Sequence, residues 1–558
     1  MNILLRAAFL FSFVGTIFAQ SSALLNVLQE ELQRNFQILK QKADPPPYFV
    51  AYEITDQDYH AISATLGALS SVNTGRRRYL DVTLRVGTPK LDNYHRTRGE
   101  SARFTSGAAV SVDDGSDSIR RRVWAETDTA YRAAAERLIR VRTNTQVQVA
   151  AQDPSDDFSA EKPSVHIEAP ERLEISDTNW SDRLRNLSLA FRRYPDILTS
   201  NVALVAQAET RYFVNSEGSK VQHSRNFLRV VISRQARSED GRNLGTSATF
   251  DAAEPSGLPN DAAIQAGIEQ VAHHLTALLK APVVEPFLGP AIFSGRAAGV
   301  FFHEIFGHRI EGHRQKDETE GQTFTARIGE KVLPDFLSVS FDPTLRKTTG
   351  ADLNGWYTYD DEGIPAQRLV AVENGVLKAF LMSRSPVKGF SQSNGHGRRD
   401  PGYEVVSRQS NLLVESSRSV PDARLRQMLL DEVKKQNKPY GLFFADVTGG
   451  FTTTGRAGPQ AFKVMPVIVY RVYPDGRPDE LVRGADIVGT PLASFAKIVA
   501  TSDGPEVFNG YCGAESGNVP VSAVSPAILV SEIEIEKKQK SQDRPPLMPF
   551  PKELGDSR

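Results

Sequence analysis

Residues 303–313 read HEIFGHRIEGH, which places three histidines and two glutamates within eleven residues. Imidazoles and carboxylates ligate metals and carry protons, so their spacing decides what they can do together. The zinc-peptidase pattern H-E-x-x-H puts two histidines four apart on one helix face. Here His303 and His308, on either side of Glu304, are five apart. At about 100° per residue a regular helix leaves them about 140° apart, too far round to share an ion. A π-type turn would bring them onto one face, and Gly307 also permits the helix to end or kink. A straight helix instead aligns Glu304, His308 and Glu311, spaced four and three apart, as a ligand set or a solvated face. Spacing alone leaves a metal site and a structural cluster both open. His313, after Gly312, reads as a surface histidine.

Arg296 to Phe306 (RAAGVFFHEIF) has the small and apolar residues of a buried helix. His303 and Glu304 interrupt it, and burying either without a partner costs about 1–3 kcal/mol, more if charged. The chain has one cysteine, Cys512, so no internal disulfide forms. That thiol is either a buried, inert hydrophobe or is occupied by something.

The elements around these residues point to an α+β chain. Leu24 to Lys42 has helical periodicity and stops at Asp44-Pro45-Pro46-Pro47. Tyr48 to Val86 turns to strand-like stretches such as YFVAYEIT and YLDVTLRV, and Arg120 to Gln146 is helical. Two alternating runs flank Asn215-Ser216-Glu217-Gly218, a hairpin signal. An amphipathic helix over Ala262 to Leu279 precedes Pro282, Pro286 and Pro290, which places the main boundary near Glu285. Beyond the histidines, LPDFLSVSFD, a hairpin at Glu373-Asn374-Gly375 and MPVIVYRVYPDG predict mostly antiparallel strands, with a helix near Leu425 to Gln436. The expected order is a leader over 1–23, an α+β region over 24–285, a second over 286–536, and a polar, disordered tail over 537–558.

With 558 residues, two or more domains are expected, and 66 Lys plus Arg against 67 Asp plus Glu give no electrostatic footprint for nucleic acid. Arg6, the apolar run Ala7 to Phe18 and the small residues of Ala19 to Ala23 have the form of a cleaved signal peptide. The run is shorter than the roughly 20 residues of a spanning helix, so export to a periplasmic or secreted location without a membrane span in the mature chain is expected.

The segments HEIFGHRIEG, YTYDDEGIPAQRLVAVENGVLKAFLMSR, GHGRR with SRQSNLLVE, VRGADIVGTPLASFAKI, and GYCGAESGNVPV with SPAILVSEI occur in one order over most of residues 286–536. In these the chain resembles the TldD/PmbA family, whose members were named modulators of DNA gyrase and include H-E-x-x-x-H metallopeptidases. The N-terminal half is similar mainly around YFVNSEGSK. The resemblance implies a two-domain TldD/PmbA-like architecture of largely antiparallel sheets with a motif-bearing helix. It implies Zn²⁺ held by His303, His308 and Cys512. It further implies a peptidase hydrolysing unstructured peptides with metal-activated water and Glu304 as general base. An extended peptide substrate and a homo-oligomeric or paralogous subunit are the implied partners. The chain keeps every element of the active, TldD-type subunit; the competing class is a non-catalytic binding or scaffold subunit, which the family also contains. Asp360, Asp361 and Glu362 in YDDEG read as turn residues rather than catalytic carboxylates.

Overall fold

Ser22 accepts a hydrogen bond from the Leu25 N–H and starts a helix over Ala23–Lys42, whose apolar stripe of Leu24, Leu25, Leu28 and Leu32 is buried. The computed structural model describes residues 22–97, 102–147, 153–457, 462–489, 491–538 and 548. The expected leader over 1–23 lies outside these residues apart from Ser22 and Ala23. So does the tail beyond Lys538 apart from Met548, while Lys537 still pairs with Ala485 in a strand. Among the described residues no helix is long and apolar enough to cross a membrane.

The first sheet has eight strands. Pro47–Thr65 pairs antiparallel with Ala68–Thr88 on one side and Thr199–Asn215 on the other, and the latter continues through Lys220–Arg237 to Asn243–Ala252. Successive strand residues face opposite sides. Val50, Tyr52, Ile54, Leu80, Val82, Leu84, Tyr212 and Val214 pack under the helices Ala23–Lys42 and Ser116–Val147, and Ile62, Leu204, Val230 and Ile232 under Asp177–Ser188 and Asp261–Lys280. The alternate residues carry charge instead: Glu53, Asp81, Glu209 and Arg211 are all buried or nearly so. They meet the C-terminal half, where Arg211 reaches Asp361 and Glu53 lies 3.5 Å from Arg399.

The second sheet has twelve strands, and part of it closes on itself. Phe287–Phe293 pairs parallel with Gly441–Thr452 and antiparallel with Gly517–Lys537. From Gly517–Lys537 the ladder runs through Ala485–Val488 and Phe462–Val472 back to Gly441–Thr452. Closure leaves these strands little free edge. The helix Gly295–Ile305 packs on Gly517–Lys537, Gly441–Thr452 and Ile498–Ala514, and all its residues but Arg296 are buried. Phe301 meets Phe293, Phe462 and Phe495 edge-on or tilted. A helix apolar on nearly every face belongs in such a core. It therefore gives His303 and Glu304 a fixed platform.

Candidate metal centre

The five-residue spacing is accommodated by ending the helix rather than by a π-turn. Ser294 caps its start, accepting from the Ala297 N–H, and the last helical residue is Ile305. Phe306 is at φ −106°, ψ −55°, and a 3₁₀ turn over Gly307–Ile310 follows. Its tighter winding resets the angle between the two histidines. Their rings end 5.1 Å apart and nearly perpendicular, at 87°. Gly307 lets Gln409 approach closely: a Cβ there would lie 1.9 Å from Gln409 Oε1, so that side chain would have to move.

The third group arrives from about 200 residues away. Cys512 stands on Ile498–Ala514, opposite Val519 of Gly517–Lys537. Its Sγ lies 3.2 Å from His303 Nε2 and 3.3 Å from His308 Nε2. All three side chains are buried, and among the described residues they are the one group of three or more His, Cys, Asp or Glu with ligand atoms within 4.8 Å of one another.

The straight stripe of Glu304, His308 and Glu311 does not form as one ligand face, because the two carboxylates take different nitrogens of His308. Glu304 Oε2 is 4.0 Å from Nε2, whereas Glu311 Oε2 is 3.3 Å from Nδ1. Glu311 is fully buried and also accepts from Arg314 Nε at 2.8 Å. By taking the Nδ1–H it leaves Nε2 to face the thiol. His313 is not the surface residue expected from its place after Gly312. It is buried and bonded to Glu515, which also pairs with Arg314, so it closes the network behind Glu311.

Three further residues were not legible as parts of the site. Arg408 donates to the Cys512 carbonyl at 2.5 Å and to Ser516 Oγ and Gly517 O, fixing the hairpin that presents the thiol. Gln409 Nε2 donates to the His303 carbonyl at 3.2 Å. Gly450 has the Glu304 side chain against it, since a Cβ there would lie 2.6 Å from Glu304 Cγ. The available signal was two adjacent polar residues entering a strand in SRQSNLLVE, and the paired glycines of VTGGF. The YDDEG carboxylates hold backbone as expected: Asp360 accepts from the N–H groups of Glu362, Ile364 and Gly397.

Burial opposes charge throughout the cluster, and at Cys512, His308 and Glu311 the partners reverse it. For Cys512 burial pushes the thiol up, but His308 and His303 hold it well below its ordinary range. For His308 burial pushes down, but Cys512 and Glu311 raise it well above. Burial raises Glu304, partly offset by His303. Burial likewise raises Glu311, but His308 and Arg314 hold it down at about 2. A thiolate is thus favoured in a buried place, which the chemistry of a metal ligand demands.

The donor set fits zinc. Two imidazole nitrogens and one thiolate are borderline-soft ligands, and tetrahedral bonds of about 2.0–2.3 Å separate neighbouring donors by about 3.5 Å, close to the distances found here. Three protein donors leave a fourth position open. His303 and Glu304 line a cavity of ≈ 370 Å³ with Gly449, Gly450 and Tyr511.

Parts of the chain are similar to known proteins. Residues 289–537 match the family described as the PmbA/TldA metallopeptidase C-terminal domain. The chain is 27% identical over 314 residues to a metalloprotease of Methanocaldococcus jannaschii, covering 56% of this chain and 64% of that one. It is 25% identical over 248 residues to a zinc metalloprotease TldD homolog of Saccharolobus solfataricus, covering 44% and 51%. The chain thus spans about half to two thirds of the length of these curated relatives. The crystal structure of TldE from Thermococcus kodakarensis superposes with a TM-score of 0.61 at 15% identity, covering 92% of this chain and 100% of that one, a likeness of fold. The matched domain contains the motif helix and the Cys512 strand, so residues 289–537 are similar to the C-terminal domain of the PmbA/TldA metallopeptidase family, and the fold likeness extends over the N-terminal sheet as well.

Proposed function

We propose that the protein is a zinc-dependent peptidase that hydrolyses unstructured peptides, with His303, His308 and Cys512 as the ligands and Glu304 as general base. The observation that carries this reading is the meeting of those three side chains behind a cavity that His303 and Glu304 line. The name of the Saccharolobus solfataricus relative supports zinc for that protein. When bound, zinc supplies Lewis-acid chemistry that lowers the pKa of water toward about 7 and favours negative charge on a carbonyl oxygen.

The chain's own residues do the rest. Glu304 is buried at the cavity wall, and its raised pKa brings it nearer to that of the water whose proton it accepts. It then has a proton to give to the leaving amine. Glu311 holds the His308 ring in orientation, Gln409 anchors the His303 backbone carbonyl, and Arg408 holds the thiol's strand. Gly449 and Gly450 leave strand backbone bare at the cavity, where an extended peptide can pair through its main chain with little sequence preference.

Export and assembly belong to the same proposal. The pattern over residues 1–23 supports cleavage, and mass analysis of the mature chain should show it beginning between about Gln20 and Leu24. The similarity of residues 289–537 to the PmbA/TldA family supports association with a second copy or a paralogous subunit.

The deciding experiment is Glu304→Gln. The amide should leave metal content unchanged while lowering peptide turnover by about 10²- to 10⁴-fold. Wild-type turnover in the metal-loaded variant would remove the mechanism, and loss of metal along with activity would make Glu304 a ligand instead. A non-catalytic subunit would show no cleavage even in the metal-loaded wild type.

A further inference from the structure

Beside the candidate centre lies a second cavity, of ≈ 420 Å³, between the charged face of the first sheet and the hairpin that carries Cys512. The two cavities share Tyr511, which is 54% exposed. Asn518 and Pro520 line the second cavity while Val521 and Ala523, on the same strand, line the first. One hairpin is therefore the partition between them.

Five arginines line this chamber, and they are unevenly matched. Arg211 pairs with Glu53, Glu209 and Asp361, and Arg399 lies 3.5 Å from Glu53. Among the described residues no carboxylate ion-pairs with Arg77, Arg225 or Arg398. Arg225 spends one nitrogen, Nη2, on Asn354, and its buried Nε has no hydrogen-bond partner. Arg398, 6% exposed, gives Nη1 to the carbonyls of Gln409 and Pro520 and lies over the Tyr357 ring. Arg77 is exposed at the rim and donates to Gln57. The lining carboxylate left without an ion pair is Asp400.

Guanidiniums removed from water without a counter-charge are costly, and a planar carboxylate is the anion their fork geometry matches. The volume suits a small ligand or the end of a peptide. We propose that this chamber is a carboxylate-binding subsite of the peptidase site: the substrate carries a carboxylate that docks on Arg225 and Arg398, while its backbone passes Tyr511 to reach His303 and Glu304. The inference rests on the peptide-hydrolysis reading and gives the substrate class a charge. The carboxylate is either the peptide's C-terminus or an acidic side chain, and the chemistry of capture is the same.

The test measures binding in the metal-loaded Glu304→Gln protein, with three peptides of one length: a free acid without acidic side chains, an amide with one internal Glu, and an amide with none. At least one carboxylate-bearing peptide should bind about 10- to 100-fold more tightly than the neutral one, the worth of charge-assisted hydrogen bonds. Which of the two does so identifies the source. The preference should vanish in Arg225→Gln and shrink in Arg77→Gln, an exposed position whose substitution does not disturb the core, while the neutral peptide's affinity stays unchanged. Equal binding of all three peptides, binding of none, or a preference that survives in Arg77→Gln and Arg225→Gln would overturn the proposal. Wild-type cleavage separates the two readings: hydrolysis without carboxylate preference removes the chamber alone, and carboxylate-selective binding without hydrolysis removes the peptidase alone.

Discussion

In the cluster around His303, two imidazoles and a thiol converge to hydrogen-bond distance and are steadied by groups outside them; in the arginine chamber across Tyr511, like charges are held apart by carboxylates set between them. The first arrangement is tolerable because Cys512, His308 and Glu311 alternate in sign, and Arg314 and Arg408 close the series. The second places Arg211 among Glu53, Glu209 and Asp361 but leaves Arg225 and Arg398 unmatched. Buried charge is strongly penalised unless paired. A converging cluster is therefore suited to one ion, and an under-matched one to a ligand of opposite charge.

The largest effect should come from breaking the cluster itself. Cys512→Ser replaces the thiolate with a hydroxyl that does not ionise near neutral pH, so metal per chain should fall toward zero and peptide turnover by at least the 10²- to 10⁴-fold expected of Glu304→Gln. In the wild type, alkylation of Cys512 should be slow with metal and fast after chelation. Equal alkylation rates in both states would remove Cys512 from the ligand set.

Matched substitutions sharpen the comparison at the next level. Glu311→Gln weakens the hold on His308 Nδ1 and should lower metal affinity or turnover about 10- to 100-fold. Glu209→Gln, which leaves Arg211 with Glu53 and Asp361, should instead lower stability by about 1–3 kcal/mol with metal content unchanged. Denaturant unfolding and metal analysis of both variants check the contrast. Equal metal loss in the two would mean that the regions are not separate in function.

These residues also mark what was legible in the sequence. Local periodicity located the helices and hairpins: Leu24 to Lys42 is a helix over Ala23–Lys42, and the turn at Glu373-Asn374-Gly375 joins Leu369–Glu373 to Val376–Leu377 with φ of 48° and 80° at Asn374 and Gly375. The closed ladder from Phe287–Phe293 through Gly517–Lys537 was not legible, since the pairing that closes it joins strands more than 200 residues apart and leaves no local signal. Motif spacing showed that His303 and His308 need an interrupted helix, but not that a 3₁₀ turn supplies it. Cys512 entered through family resemblance alone. His313 was misread because burial depends on Glu515 and Arg314, which sequence order does not bring together.

A smaller effect should follow from Gly450→Ala. The added Cβ meets the Glu304 side chain rather than a ligand, so metal content should hold while turnover falls about 10-fold or somewhat more, the usual result of displacing a positioned group by up to an ångström. Unchanged turnover would show that Glu304 has room to move without consequence.

The smallest effect tests the chamber through pH. His223 is buried there, and burial, followed by the neighbouring Arg211, pushes its pKa down to about 3. In the unfolded chain it takes up a proton near pH 6.5, whereas the folded protein keeps it neutral. Below about 6.5 the unfolded state therefore binds more protons, and stability falls as pH drops from about 6.5 toward 3 by up to about 1.4 kcal/mol per pH unit. His223→Gln removes this one contribution. The variant's unfolding free energy should fall less steeply than that of the wild type between pH 6.5 and 5, with the difference near 1 kcal/mol at pH 5.5. His396, pushed to about 4 mainly by burial, contributes the same trend in both proteins and so cancels in the comparison. Parallel pH profiles for the two proteins would mean that His223 is already free to charge in the folded state, and that the chamber is less positive than its arginines suggest.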